Sequence, residues 1–172
     1  MTPKLVLAGT FSALILFAIQ PLAAQTPNQP PLVGSWQLTL TPNTPPVTTP
    51  PVIPIPALAT FTADGSMIET DGTEVVPAMM TGGAVVHGTP GHGIWQPAPA
   101  IGTLYIQFVS LMINSNATLH AKRIVTITGA VDSTGNHFSG GYTYQIVDPA
   151  GHVITMGSGT VSGQKIPHPL LP

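Results

Sequence analysis

The chain is predicted to be all-β, an antiparallel up-and-down β-barrel of about eight strands. Three observations point there. Thr103–Val131 holds two long runs of β-branched, aromatic and aliphatic residues joined by the polar turn Asn114-Ser115-Asn116, the signature of a long hairpin. Val33–Thr41 and His137–Val147 alternate apolar with polar residues, as half-buried strands do. After the N-terminal segment, no stretch carries a 3.6-residue apolar period of useful length, and turn signals separate the extended runs. Consecutive hairpins that close on themselves remove exposed sheet edges. A two-sheet β-sandwich is the alternative arrangement.

Composition narrows the function. Only 6% of the 172 residues are charged, against roughly 25% in ordinary domains. Four Lys and Arg cannot form the basic stripe that nucleic acid requires. With no cysteine, disulfides, thiolate catalysis and Cys-based metal sites are excluded, so packing and backbone ladders must hold the fold. Met1–Ala24 reads as a signal peptide: Lys4 is followed by the apolar run Leu5–Ile19 and by small residues before Gln25. The run is shorter than the ~20 residues a membrane helix needs. Cleavage after Ala24 is expected, with retention as an anchor the alternative. The chain is therefore expected to be secreted or periplasmic, without a stable membrane span once the signal is removed.

From there the elements follow in order. Residues 25–32 read as a flexible N-terminal arm, and 33–166 as a single barrel domain. In the first strand, Val33–Thr41, Trp36, Leu38 and Leu40 share one face. Residues 42–56 carry seven prolines, which deny a central strand its ladder N–H groups. An extended loop packed through Val52, Ile53 and Ile55 is expected instead. Leu58–Ala63 and Ser66–Thr70 form a hairpin around Asp64-Gly65. Asp71–Pro90 reads mostly as loop, and Gly91–Gln96 as a brief strand stopped by Pro97. The central hairpin comes next. Then His137–Val147 places Phe138, Tyr142, Tyr144 and Ile146 on one side, and Asp148-Pro149-Ala150-Gly151 turns into a last strand, His152–Ile166. Residues 167–172 form a tail.

Gly34-Ser35-Trp36 at the start of the first strand resembles the G-x-W signature of lipocalins and related calycin barrels. In that family the tryptophan closes the barrel floor beneath a basic residue of the last strand. The resemblance implies that role for Lys165. The block from Gly91-His92-Gly93-Ile94-Trp95 to Gly163-Gln164-Lys165-Ile166 also looks like secreted bacterial proteins of lipocalin-like type, which implies no particular activity. An architectural likeness to allene-oxide-cyclase-like barrels implies a cofactor-free cyclase or isomerase as a second class of function.

Arg123 is the most informative single residue. It shares a strand face with Leu119, Ala121, Val125 and Ile127, so an inward apolar face carries a guanidinium with it. A buried charge needs a counter-charge, and Glu69, on the same face as Met67, is the expected partner unless a ligand carboxylate takes that place. A snorkelling Arg near the strand end is the other reading. Asp64, Asp71, Glu74, Asp132 and Asp148 read as solvated carboxylates of turns and loops. The six histidines lack the spacing of a metal site, no G-x-S-x-G elbow is present, and neither metal, cofactor nor catalytic residue is expected.

The sequence thus predicts a barrel that binds a small apolar or amphipathic molecule, fatty-acid-like in type. Its lining is expected from Arg123, Trp36, Trp95, Phe108, Tyr142, Tyr144 and Glu69, with Phe138 and Met112 in the same pool. A structural or envelope-interaction protein using the Pro-rich loop is a third class. Nothing in the composition fixes an oligomeric state.

Overall fold

The computed structural model describes residues 32–43, 53–72, 75–76, 86–100 and 102–167. Residues 1–24, expected to be a signal peptide, residues 25–31 of the expected arm, most of the Pro-rich loop and Glu74 lie outside these. Among the described residues ten strands run in order: β1 (Gly34–Pro42), β2 (Ile55–Phe61), β3 (Ser66–Asp71), β4 (Val75–Val76), β5 (Val86–Gly88), β6 (Gly91–Pro97), β7 (Leu104–Asn114), β8 (Leu119–Val131), β9 (His137–Val147) and β10 (Val153–Lys165). All pairings are antiparallel. Eight strands, β1-β2-β3-β6-β7-β8-β9-β10, form a ring that closes when β10 pairs with β1. The up-and-down barrel is therefore the observed fold.

The boundaries follow the alternation. In β1, Trp36, Leu38 and Leu40 are buried, and in β2 Ala57, Ala59 and Phe61 are. The inner face of β7 carries Leu104, Ile106, Phe108, Ser110 and Met112. Proline intrudes further into the sheet than the sequence suggests: Pro42 ends β1, and Pro56, the second residue of β2, pairs in register with Thr39. Both sit near strand ends, where a missing N–H is tolerated.

The expected loop over Asp71–Pro90 is corrected in part, because Asp71 ends β3 and the short β4 and β5 fall within it. β5 and β6 lie along the same edge of β7 and behave as one interrupted strand. At the break Pro90 has no N–H, and Thr89 carries the ladder instead. Its N–H donates to Leu111 O at 2.9 Å, and its Oγ1 accepts the Leu111 N–H at 3.0 Å. Leu32, expected to end the flexible arm, is only 1% exposed and belongs to the core.

The interior is packed from the Trp36 end upward by Leu32, Trp36, Phe61, Phe108, Ile127 and Phe138 among others. Large rings fit because glycines face them across the strands. A Cβ on Gly91 would stand 2.5 Å from Phe108, and one on Gly129 2.6 Å from Phe138. A smaller cluster, Val86, Met112 and Ala121 with Ile146 against it, lies toward the opposite end.

A closed floor and a charged mouth

At one end, Trp36 and Lys165 are register partners on β1 and β10. The Lys165 ammonium lies 5.6 Å from the Trp36 ring centroid, as the G-x-W resemblance implies. Phe138 meets the indole edge-on at 6.5 Å, and the indole N–H donates to Leu32 O at 2.7 Å. Gly34 makes this possible twice over. Its φ of +124° lies where side-chain-bearing residues are rarely found, and a Cβ there would stand 2.9 Å from the Lys165 stem. Trp36 is fully buried, so this end is a sealed floor. Trp95, half-buried and packed against this core, braces the β2–β3 turn: its backbone N–H donates to Gly65 O and its indole N–H to Thr62 O.

The opposite end is built differently. Alternation along β3 places Met67, Glu69 and Asp71 on one face, and alternation along β8 places Ala121, Arg123 and Val125 on one. The curvature of the barrel brings the two sets together. Arg123 Nη1 reaches Asp71 Oδ2 at 2.8 Å, Nη2 approaches Glu69 Oε2 at 3.8 Å, and Nε donates to Ser110 Oγ at 3.0 Å. The Glu69 and Asp71 side chains are 2% and 3% exposed, and that of Arg123 is 18% exposed. The two carboxylates are therefore enclosed, while the guanidinium keeps an opening to solvent.

Beside this layer, the rings of Tyr142 and Tyr144 stack at 6.5 Å and 29°. They lie against β10 where it carries Gly159 and Gly157; a Cβ at either glycine would come within 2.6 Å of the facing ring. The Tyr142 phenol is held above its ordinary pKa first by burial, then by Tyr144, with Asp71 adding to the rise and Arg123 opposing it. It therefore stands as a neutral hydroxyl within the field of the ion pair.

The expected site residues thus separate into two groups. Arg123, Glu69, Tyr142 and Tyr144 are gathered at the mouth. Trp36 and Phe108 are core, and Trp95 is a brace on the floor. Asp71 is a correction, because it is a buried partner of Arg123 rather than a solvated loop carboxylate. Ser110 is an addition. The same alternation that placed Glu69 and Phe108 inward would have pointed to both.

Among the described residues no group of three or more His, Cys, Asp and Glu could hold a metal ion. Two of the best-formed depressions, each about 330 Å3, are open rather than enclosed. One borders Gln37, Leu58 and Thr70, the other Thr39, His137 and Ser162.

What fold and site define is a closed eight-stranded antiparallel barrel with a sealed floor and a charged, tyrosine-flanked mouth. No protein-family model matches the chain, and no curated protein sequence matches it.

Proposed function

We propose that this protein is a secreted, lipocalin-like barrel that binds a small amphipathic molecule at its mouth. The observation that carries the reading is the distribution of charge. The chain has ten charged side chains, and three of them, Glu69, Asp71 and Arg123, meet on the inner wall. The outward strand positions among the described residues carry only Lys122. Enclosed ion pairs seldom add net stability over apolar packing, so stability alone is a poor reason to place them there. A mouth that offers Arg123 to solvent beside two stacked tyrosines suits a ligand with a polar head and an apolar body.

Native mass spectrometry of protein recovered from the periplasm or medium tests this. The expected species begins at Gln25 and carries a small-molecule adduct. Bare protein, together with no thermal shift from any short-chain amphiphile, would overturn the reading.

A second reading, cofactor-free isomerisation, draws on the convergence of two carboxylates with a guanidinium. It requires that incubation with the co-purified compound yield an isomer of equal mass and altered retention. That product must disappear with Asp71→Asn; without such a product, binding alone accounts for the site.

A further inference from the structure

We propose that the outer wall of β3, β6 and β7 is a self-association face, on which a second copy of the barrel packs reversibly. The inference is independent of any ligand at the mouth. Alternation leaves Ile68 on β3, Ile94 on β6, and Val109 and Leu111 on β7 pointing outward, between 38% and 54% exposed. Register makes them one patch rather than four isolated side chains. Ser66 pairs with Ile94 and Ile68 with His92, so Ile68 and Ile94 are diagonal neighbours, and His92 in turn pairs with Val109. Side chains so placed reach one another across strands. Leu58, also exposed, extends the patch diagonally onto β2. The opposite wall of the ring is unlike it: hydroxyl rows such as Thr39-Ser162-Ser139 run across β1, β10 and β9. The exposed aliphatics of β10, Val153, Ile154 and Met156, are confined to its start, before its pairing with β1 begins. Contiguous apolar surface of this kind marks a contact site more often than a solvated one.

The polar and charged groups of this wall favour a second copy as the occupant. Its bordering polar side chains are already paired: the Gln107 amide donates to Tyr105 Oη and Thr126 Oγ1, and the Thr60 and Ser35 hydroxyls share a hydrogen bond. Covering satisfied groups costs little. In a two-fold contact the same patch meets itself, so acids or lysines at its centre would repel the partner. Here the only ionisable group inside the patch is His92. The charges at its edges, Asp64 in the β2–β3 turn and Lys122 opposite Leu111, have opposite signs. A lipid surface would instead call for several cations and for aromatic anchors. The wall has one lysine at its edge, and among the described residues no aromatic side chain is exposed. The convex wall of a barrel limits how many strands can touch a flat or convex partner, so the pair belongs to the small, transient class of interface.

Sedimentation velocity on protein recovered from the periplasm or medium, from about 10 μM to about 1 mM, tests this by mass action. The weight-average mass is expected to climb from monomer toward dimer, with a dissociation constant on the order of 100 μM. Ile94→Lys should weaken association by roughly tenfold or more, because a lysine at the centre of the patch must be desolvated against its own copy. Ile68→Lys provides the same readout should Ile94→Lys fold poorly. Thr160→Lys on the opposite wall should leave the constant unchanged. A monomer at every concentration would overturn the proposal, as would a dimer that both isoleucine variants leave intact or that Thr160→Lys abolishes. A monomer that floats with vesicles of phosphatidylcholine and phosphatidylglycerol would overturn it in favour of a lipid surface.

Discussion

The floor and the mouth of this barrel each place charge on an inner wall, by opposite means. At the floor one cation lies on an aromatic face, the indole N–H is satisfied by Leu32 O, and the indole is fully buried. At the mouth, three charges and a serine satisfy one another across β3, β7 and β8, with Arg123 still open to solvent. The floor gains its stability from filled volume, so a lone ammonium over a ring is enough there. The mouth depends on mutual electrostatic satisfaction, so each member matters because of what its loss leaves behind. A sealed end and an open, polar end give the barrel a direction, and a binding site needs one.

The largest expected effect is at the floor. Trp36→Ala removes the largest fully buried side chain, with the contacts to Phe138 and the Lys165 stem. It should cost ~3–5 kcal/mol in urea-unfolding free energy. A loss near 1 kcal/mol would mean that the floor collapses around the gap and that Trp36 does not hold it open.

At the mouth, Arg123→Met should cost about 3 kcal/mol, because it leaves two enclosed carboxylates without their cation. The diagnostic is recovery. Adding Asp71→Asn and Glu69→Gln to Arg123→Met should restore most of the loss, a strong departure from additivity. No such rescue exists for Trp36→Ala, since volume is not returned by changing charge. Purely additive losses would show that the three side chains act independently.

The mouth should also carry a pH signature. The folded pKa of Tyr142 is raised above its ordinary value of 10.0, by burial first. The unfolded chain therefore releases this proton at a lower pH than the folded one. Stability from this group is complete below about pH 10 and is lost as pH rises through that value toward the folded pKa. Thermal unfolding between pH 8 and 11 should show that decline, and Tyr142→Phe should flatten it. Lys165→Met at the floor should cost only ~0.5–1 kcal/mol at neutral pH.

How legible each end was in the sequence follows from how local its determinants are. The floor was legible through Gly34-Ser35-Trp36 and a basic residue on the last strand. β9 was read to its exact ends because its alternation is unbroken from His137 to Val147. The pairing of Glu69 with Arg123 was also within reach, because two alternating strands each carried one charge on an apolar face. Asp71 was lost to its context: it precedes Gly72, and an Asp-Gly pair reads as a turn, although here the strand continues through Asp71 and the Gly72 N–H donates to Pro56 O. Ser110 was passed over as one hydroxyl in an apolar run. β5 escaped because Gly and Pro flank it, and its partner on β7 is more than twenty residues away. Local rules see periodicity and turns, whereas the mouth is assembled by closure.

The smallest effect tests whether the two ends also differ in backbone strain. The floor hairpins β2–β3 and β8–β9 turn through Gly65 at φ +89° and Gly135 at φ +77°. The mouth hairpin β9–β10 does so through Gly151 at φ +96°. The other mouth hairpin, β7–β8, has the same kind of turn: Asn114 N–H donates to Thr118 O, and Ala117 N–H to Asn114 O, both at 2.9 Å. Its left-handed position, however, is occupied by Ala117 at φ +62°. A Cβ there costs roughly 1–2 kcal/mol, partly offset because glycine would add about 0.4–1 kcal/mol of unfolded-state entropy. Ala117→Gly should therefore stabilise the protein by about 0.5 kcal/mol, the one gain among these substitutions, read as a small upward shift in the urea midpoint at unchanged slope. The Asn116 side chain, which accepts from the Thr118 N–H and hydroxyl, is unaffected by the change, so the turn keeps its geometry. A loss on Ala117→Gly would mean that the Ala117 methyl makes contacts worth more than the strain, and that the mouth turn is held by packing rather than by its backbone bonds.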